Sequence, residues 1–145
     1  MMWAYFDASA LVKRYVDEAG RREVLRLLRR YNVVTSAIVP VELRSAVRRR
    51  CAEGTLDEKR VPEMLKRVAA ERGFWALMDV SGDVLAAAET LAAAHPLRAL
   101  DAIHVASAQV LAGRIGDPTL VFVTADARQS TAATAAGMTG RLVGS

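Results

Sequence analysis

A parallel β-sheet covered by helices on both faces is the fold class that the sequence predicts, and three observations predict it. Short apolar stretches with strand character alternate with helix-periodic stretches along the chain, which is the order of βα units. The first such stretch, residues 2–6, is apolar throughout and holds three aromatics, so it reads as a buried strand. Residues 97–111, LRALDAIHVASAQVL, form a helix that is apolar on nearly every side, as a helix packed inside a domain is.

Taken in order, the first strand stops at Asp7, and residues 8–17 then place Leu11, Val12, Tyr15 and Val16 at helical spacing, with Gly20 ending the helix. Residues 21–30 set Val24, Leu25, Leu27 and Leu28 among arginines, an amphipathic helix. A short strand over 33–36 follows. Its Ser36 is placed to cap a helix that carries Pro40 in its first turn, bears Glu42 near its beginning and runs to about Gly54. Thr55 and Glu58 have the T-x-x-E spacing of a capping box, which predicts a new helix reaching Gly73. These two helices follow each other with no strand between them, which predicts a projecting hairpin that serves as a dimer or partner surface or else simply pads the sheet.

Residues 74–80 read as a strand, and 81–95 as an alanine-rich helix ended by Pro96. Beyond the helix around Asp101, a Gly116, Asp117, Pro118 turn leads into a clear strand over 120–124. Asp126 and Gln129 repeat the capping-box spacing ahead of a last helix that ends near Gly137, and residues 141–143 read as an edge strand.

The 145 residues form a single domain spanning 1–145, long enough for a real core and too short for two ordinary ones. A hydrophobic content of 52% excludes a disordered chain. The start MMWAYFDAS lacks the layout of a signal peptide and no apolar run approaches membrane-spanning length, so the expectation is a cytoplasmic protein with no membrane partner. Cys51 is the only cysteine, which leaves neither an internal disulfide nor a cysteine metal cage. The formal charge of +4 comes mostly from arginine, whose planar donor fork suits phosphates, and it favours a nucleic-acid or acidic partner.

Asp101 stands out as an acid in an apolar helix. Alone it reads as a cap or dipole partner, satisfied by the free N–H groups of the first turn. Asp7 and Asp126, too, have plain readings as cap residues, and Glu42 as a surface helix residue. In parallel α/β sheets, however, ligands sit beyond the carboxyl ends of the strands. Asp7 ends the first strand, Asp126 lies two residues past the fourth, Glu42 stands in the helix leaving the second, and Asp101 opens the central helix. Four acids at one rim repel unless a cation neutralises them, and an all-oxygen donor set favours Mg²⁺ or Mn²⁺ over zinc. Such a site performs phosphodiester hydrolysis. His104 shares a helix face with Asp101 and reads either as a satisfied core histidine or as a member of the site.

The stretches YFDASALVK, TSAIVPVELRSA, LRALDAIHVASA and VFVTADARQ, in this order and spread over nearly the whole chain, resemble PIN-domain ribonucleases. More narrowly they are similar to the VapC toxins of bacterial and archaeal toxin–antitoxin pairs. The resemblance implies a three-layer sandwich with a five-stranded parallel sheet, a common tendency to dimerise, and an antitoxin covering the cleft. It carries Asp7, Glu42, Asp101 and Asp126 over as the metal-binding acids, and Ser9 and Thr124 as hydroxyls beside them. The expected activity is a Mg²⁺-dependent endoribonuclease, with Mn²⁺ an alternative cofactor, leaving 5′-phosphate and 3′-hydroxyl ends. Arg44, Arg48 and Arg98 are candidates for holding RNA phosphates.

Two other classes fit less well. A receiver or dehalogenase-type phosphatase needs a lysine from the later part of the chain, and the lysines are Lys13, Lys59 and Lys66 only; a dinucleotide binder needs a G-x-G-x-x-G after the first strand, which is missing. The remaining alternative is a PIN-like module that binds protein or RNA without cutting.

Overall fold

In the computed structural model, which describes residues 2–144, five parallel strands form one sheet in the order β3-β2-β1-β4-β5. The strands are β1 (Met2–Phe6), β2 (Tyr31–Ser36), β3 (Ala76–Met78), β4 (Val121–Thr124) and β5 (Thr139–Leu142). The helices are α1 (Ala8–Tyr15), α2 (Arg21–Arg30), α3 (Val39–Ala52), α4 (Val61–Glu71), α5 (Gly82–Ala94), α6 (Ala99–Ile115) and α7 (Ala127–Ala135). Among the described residues no helix is long and apolar enough to cross a membrane.

Strand alternation separates two cores. Ala4 and Phe6 of β1, Val33 of β2 and Val123 of β4 face a cluster with Leu11, Val12, Val24, Leu43, Met64 and Val68 from α1 to α4. Tyr5, Val34 and Phe122, one residue out of phase, face Val84, Leu91, Val105, Ala106 and Ala132 from α5, α6 and α7. The result is a helix–sheet–helix sandwich in which the central strands are buried on both sides, as their unbroken apolar character requires. Ala102, Ala106, Ala108 and Ala112 let α6 lie close to its neighbours.

The chain winds outward from β1 through β2 to β3, then returns to β4 on the other side of β1 and continues to β5. The order therefore reverses between β1 and β4, and the crevice at the carboxyl ends of these two strands is where such a fold binds ligands. Asp7 follows β1 directly and Thr124 closes β4, so both stand at that crevice.

Several local expectations differ from the structure. Helix α1 ends at Tyr15, and Gly20 opens α2 instead of closing α1; its φ is 88°, and a Cβ there would meet the Gly144 backbone nitrogen at 2.5 Å. Thr55 caps no helix. Its hydroxyl donates to the Arg50 carbonyl at 3.2 Å, Asp57 caps a 3₁₀ turn over Glu58–Arg60, and α4 begins later with Pro62 in its first turn. Ser36 likewise lies two residues too early: Ile38 holds the N-cap position of α3 without a side-chain bond, though its N–H donates to Ser36 Oγ at 3.3 Å. Nor do α3 and α4 project, because Leu43, Ala46, Val47, Met64 and Val68 are buried in the first core.

Candidate active site

Asp7 forms the floor of the crevice. It is 1% exposed, and its backbone N–H donates to the Val123 carbonyl at 3.1 Å, which extends the pairing of β1 with β4 by one residue. The cap reading of the sequence holds locally, since Oδ1 accepts the Ala10 N–H at 3.0 Å at the start of α1. Three side chains then add to it. Ser9 Oγ lies 2.8 Å from both carboxylate oxygens, Thr124 Oγ1 donates to Oδ2 at 3.0 Å, and Gln129 Nε2 donates to Oδ2 at 2.9 Å.

The two hydroxyls are held from behind. Ser9 Oγ accepts the Ala125 N–H at 2.9 Å and Thr124 Oγ1 accepts the Asp126 N–H at 3.0 Å, so their hydrogens are left for Asp7. Burial pushes the Asp7 carboxyl above the ordinary aspartate range; positive charge on His104 and the bonds from Ser9, Ala10 and Thr124 pull against that shift.

Asp101 reaches the same place from the other half of the chain. It lies in the first turn of α6, but Arg98 is the N-cap residue and no side chain caps this helix, so the cap reading of Asp101 gives way. Its Oδ1 accepts from Gln129 Nε2 at 3.1 Å, and Arg98 Nε stands 3.5 Å from Oδ2. One amide nitrogen thus donates to Asp7 and to Asp101 at once. Asp126 caps α7 through the Arg128 N–H at 2.8 Å.

Gln129 was expected as the reciprocal half of that cap. It turns inward instead, 2% exposed, and its Oε1 is buried with no hydrogen-bond partner among the described residues. Sequence reasoning missed it as a site residue. The available signal was its position on the same face as Ala132 and Ala133, both fully buried, where a polar side chain demands a polar partner.

Glu42 enters from α3, with its side chain 20% exposed, and Oε1 lies 2.6 Å from His104 Nε2. His104 Nδ1 lies 2.8 Å from the Tyr5 hydroxyl, and Tyr5 stacks on Phe122 with ring centroids 5.3 Å apart. A carboxylate only accepts, so Nε2 carries a hydrogen in either charge state of the ring and donates to Glu42. In the neutral ring Nδ1 then accepts from Tyr5, whose burial raises its pKa well above the ordinary phenol value and keeps it protonated. His104 is therefore both of the things the sequence left open, a satisfied core residue and a partner of a site acid.

These groups meet in a cleft of about 590 Å³ lined by Asp7, Ser9, Glu42, Asp101, Asp126 and Gln129, among others. A family model described as PIN domain matches residues 4–135 of the chain. The chain belongs to the PIN domain family. Two relatives named Ribonuclease VapC45 and Ribonuclease VapC49, from two strains of Mycobacterium tuberculosis, are each 35% identical over 144 residues, covering 94% of this chain and 93% of their own length. A toxin–antitoxin complex from Klebsiella pneumoniae shares the fold with a TM-score of 0.66 at 20% identity, over 96% of this chain and 98% of that one. So does FitAcB from Neisseria gonorrhoeae, with a TM-score of 0.66 at 18% identity over 90% and 93% of the two chains.

The arginines that line the cleft of this PIN domain are Arg49, Arg50 and Arg98. Arg44 and Arg48, singled out from the sequence, are exposed on α3 and do not line it; α3 turns Arg49 and Arg50 toward the cleft instead. Arg50 is half-buried and paired with Glu18 at 2.8 Å; Arg49 and Arg98, the latter 3.5 Å from Asp101, are the exposed cations of the lining.

The donor set suits a hard cation, in a particular way. All four acids reach the PIN-domain cleft, but among the described residues no three His, Cys, Asp or Glu side chains are gathered closely enough to cage an ion. Magnesium needs no cage: it keeps several waters and binds through one or two carboxylates and the substrate's phosphates. Asp7 and Asp101, close enough to share one N–H₂ group, match that requirement, and Mn²⁺ takes the same oxygen ligands.

Proposed function

We propose that this PIN domain is a Mg²⁺-dependent endoribonuclease, able to use Mn²⁺, and the toxin of a toxin–antitoxin pair. The observation that carries the reading is the convergence of Asp7 and Asp101 on one amide donor at the switch point of the sheet. The names of the VapC relatives support the ribonuclease class, and the toxin–antitoxin complex with this fold supports an antitoxin partner.

Asp7 and Asp101 would hold the ion, with Asp126 reaching it directly or through water. Bound there, a divalent cation supplies an acidified water and neutralises charge on the scissile phosphate. Glu42, fixed by His104 through one oxygen, has its second oxygen left to take a proton from the attacking water. Ser9 and Thr124 set the rotation of the Asp7 carboxylate. Arg49 and Arg98 would hold phosphates on either side of the cut. Attack of water on phosphorus breaks the bond to the 3′ oxygen, leaving a 5′-phosphate and a 3′-hydroxyl.

Val41 and Leu100 are exposed apolar residues of the same cleft lining, 72% and 49% exposed. Together with Arg49 and Arg98 they suit an antitoxin segment that presents apolar and acidic side chains. A cytoplasmic homodimer completes the proposal.

The test is cleavage of a structured RNA by purified protein with Mg²⁺, with Mn²⁺ and with chelator, alongside Asp101→Asn. Cleavage that needs the cation and fails in the variant is expected. Binding of RNA without any cleavage under all conditions would replace the enzyme with the non-catalytic binding module.

A further inference from the structure

Asp7 has about four lone-pair positions, and Ser9, Ala10, Thr124 and Gln129 supply four donors to them. A cation can reach this carboxylate only if one donor withdraws. Ala10 donates from the backbone. Ser9 and Thr124 each accept a backbone N–H, which orients their hydrogens toward Asp7. Gln129 is different: among the described residues its carboxamide is held only by Asp7 and Asp101, and its Oε1 is buried with no partner.

The position of that carboxamide matters as much as its freedom. Nε2 sits against Asp7 Oδ2 and Asp101 Oδ1, the two oxygens that the proposed cation would neutralise. Without a cation, an N–H₂ group is the end of the amide that two carboxylates favour. With a cation between them, the same surroundings favour the oxygen end, a hard acceptor able to bind the cation or one of its waters. Rotation about the last side-chain bond exchanges the two ends, and that torsion is soft.

We propose that Gln129 is a further member of the cation site: a placeholder that donates to both carboxylates when the site is empty, and turns its oxygen toward the cation when it fills. This rests on the metal-dependent reading above. In either state the end of the amide facing the acids matches the charge there, so Asp7 and Asp101 stay together through loading and release.

The experiment is a Mg²⁺ titration of isotope-labelled full-length protein without RNA, followed by nuclear magnetic resonance. The Gln129 side-chain N–H₂ pair is assigned by its disappearance in Gln129→Leu. Expected is a change of that pair with the same midpoint as the backbone amides of Ala10 and Ala125, and Mg²⁺ affinity about ten-fold weaker in Gln129→Leu. Gln129→Glu, which keeps an oxygen and loses the donor, should bind Mg²⁺ at least as tightly as wild type and melt at a lower temperature in chelator. A stationary Gln129 pair beside shifting backbone amides, or undiminished affinity in folded Gln129→Leu, would overturn this proposal alone. No shift anywhere in the cleft at saturating Mg²⁺ or Mn²⁺ would overturn it together with the metal-dependent reading.

Discussion

Asp7 and Asp126 begin as the same local device and end as different ones. Each follows a central strand and caps the helix that comes next, Asp7 through the Ala10 N–H and Asp126 through the Arg128 N–H. Asp7 lies under the crevice, buried, with four donors on its two oxygens. Asp126 stays half-buried at the edge, and its backbone N–H steadies Thr124 for the benefit of Asp7. A cap satisfies one lone pair of a carboxylate, and what surrounds the others decides whether the residue stays a cap at the edge or becomes the buried floor of a cleft. The floor of the cleft is preorganised at a cost in stability, while the rim carries no comparable burial.

The largest effect that would break this contrast is expected at Asp7. Asp7→Asn should lower Mg²⁺-dependent RNA cleavage by roughly three orders of magnitude, as loss of a principal metal ligand does. It should also make the protein more stable in chelator at neutral pH. The sign follows from the raised pKa: a carboxyl raised in the folded state stabilises the fold fully below its unfolded value, and that contribution is lost as pH climbs through the folded value. Negative charge on the buried Asp7 therefore opposes the fold, a penalty that the uncharged amide lacks. Thermal melts in chelator should show the gap between variant and wild type closing as pH falls toward the unfolded value. A variant less stable than wild type at neutral pH would mean that the cap and hydroxyl bonds outweigh burial.

Asp126→Ala sharpens the contrast from the other side. Losing the α7 cap should cost about 1 kcal/mol in denaturant unfolding, and cleavage should fall by about ten-fold or less where Asp126 reaches the cation through water. A loss as large as that of Asp7→Asn would place Asp126 on the floor. The smallest effects belong to the exposed arginines. Arg49→Ala should raise KM a few-fold with kcat little changed, whereas Arg44→Ala, outside the cleft lining, should leave both within error in the same steady-state assay.

The difference between floor and rim also marks what was legible in the sequence. Strands β1 and β4, with Asp7 and Asp126 just past their ends, could be read because unbroken apolar runs and acids at their carboxyl ends are linear signals. The convergence of all four acids on one cleft followed from the parallel topology, though not as the cage that four carboxylates first suggest. What stayed hidden depends on rotation about helix axes. Arg49 and Arg50 face the cleft while Arg44 and Arg48 do not, and helical spacing alone does not say which side of α3 faces the sheet's edge. Gln129 was read as a cap partner because D-x-x-Q fits a local bond. The competing partners, Asp7 and Asp101, are distant in sequence and present only once the sheet has formed. Likewise Thr55 and Glu58 had the spacing of a box, but Asp57 and Pro62 supplied a better start further on.

The most direct test of the shared carboxylate pair is Mn²⁺ binding by electron paramagnetic resonance, with wild type, Asp7→Asn and Asp101→Asn compared at equal concentration without RNA. Saturable binding in the wild type that weakens at least ten-fold in each variant, with all three melting as folded proteins, is the predicted result. Equal binding in all three, or none in the folded wild type, would contradict it.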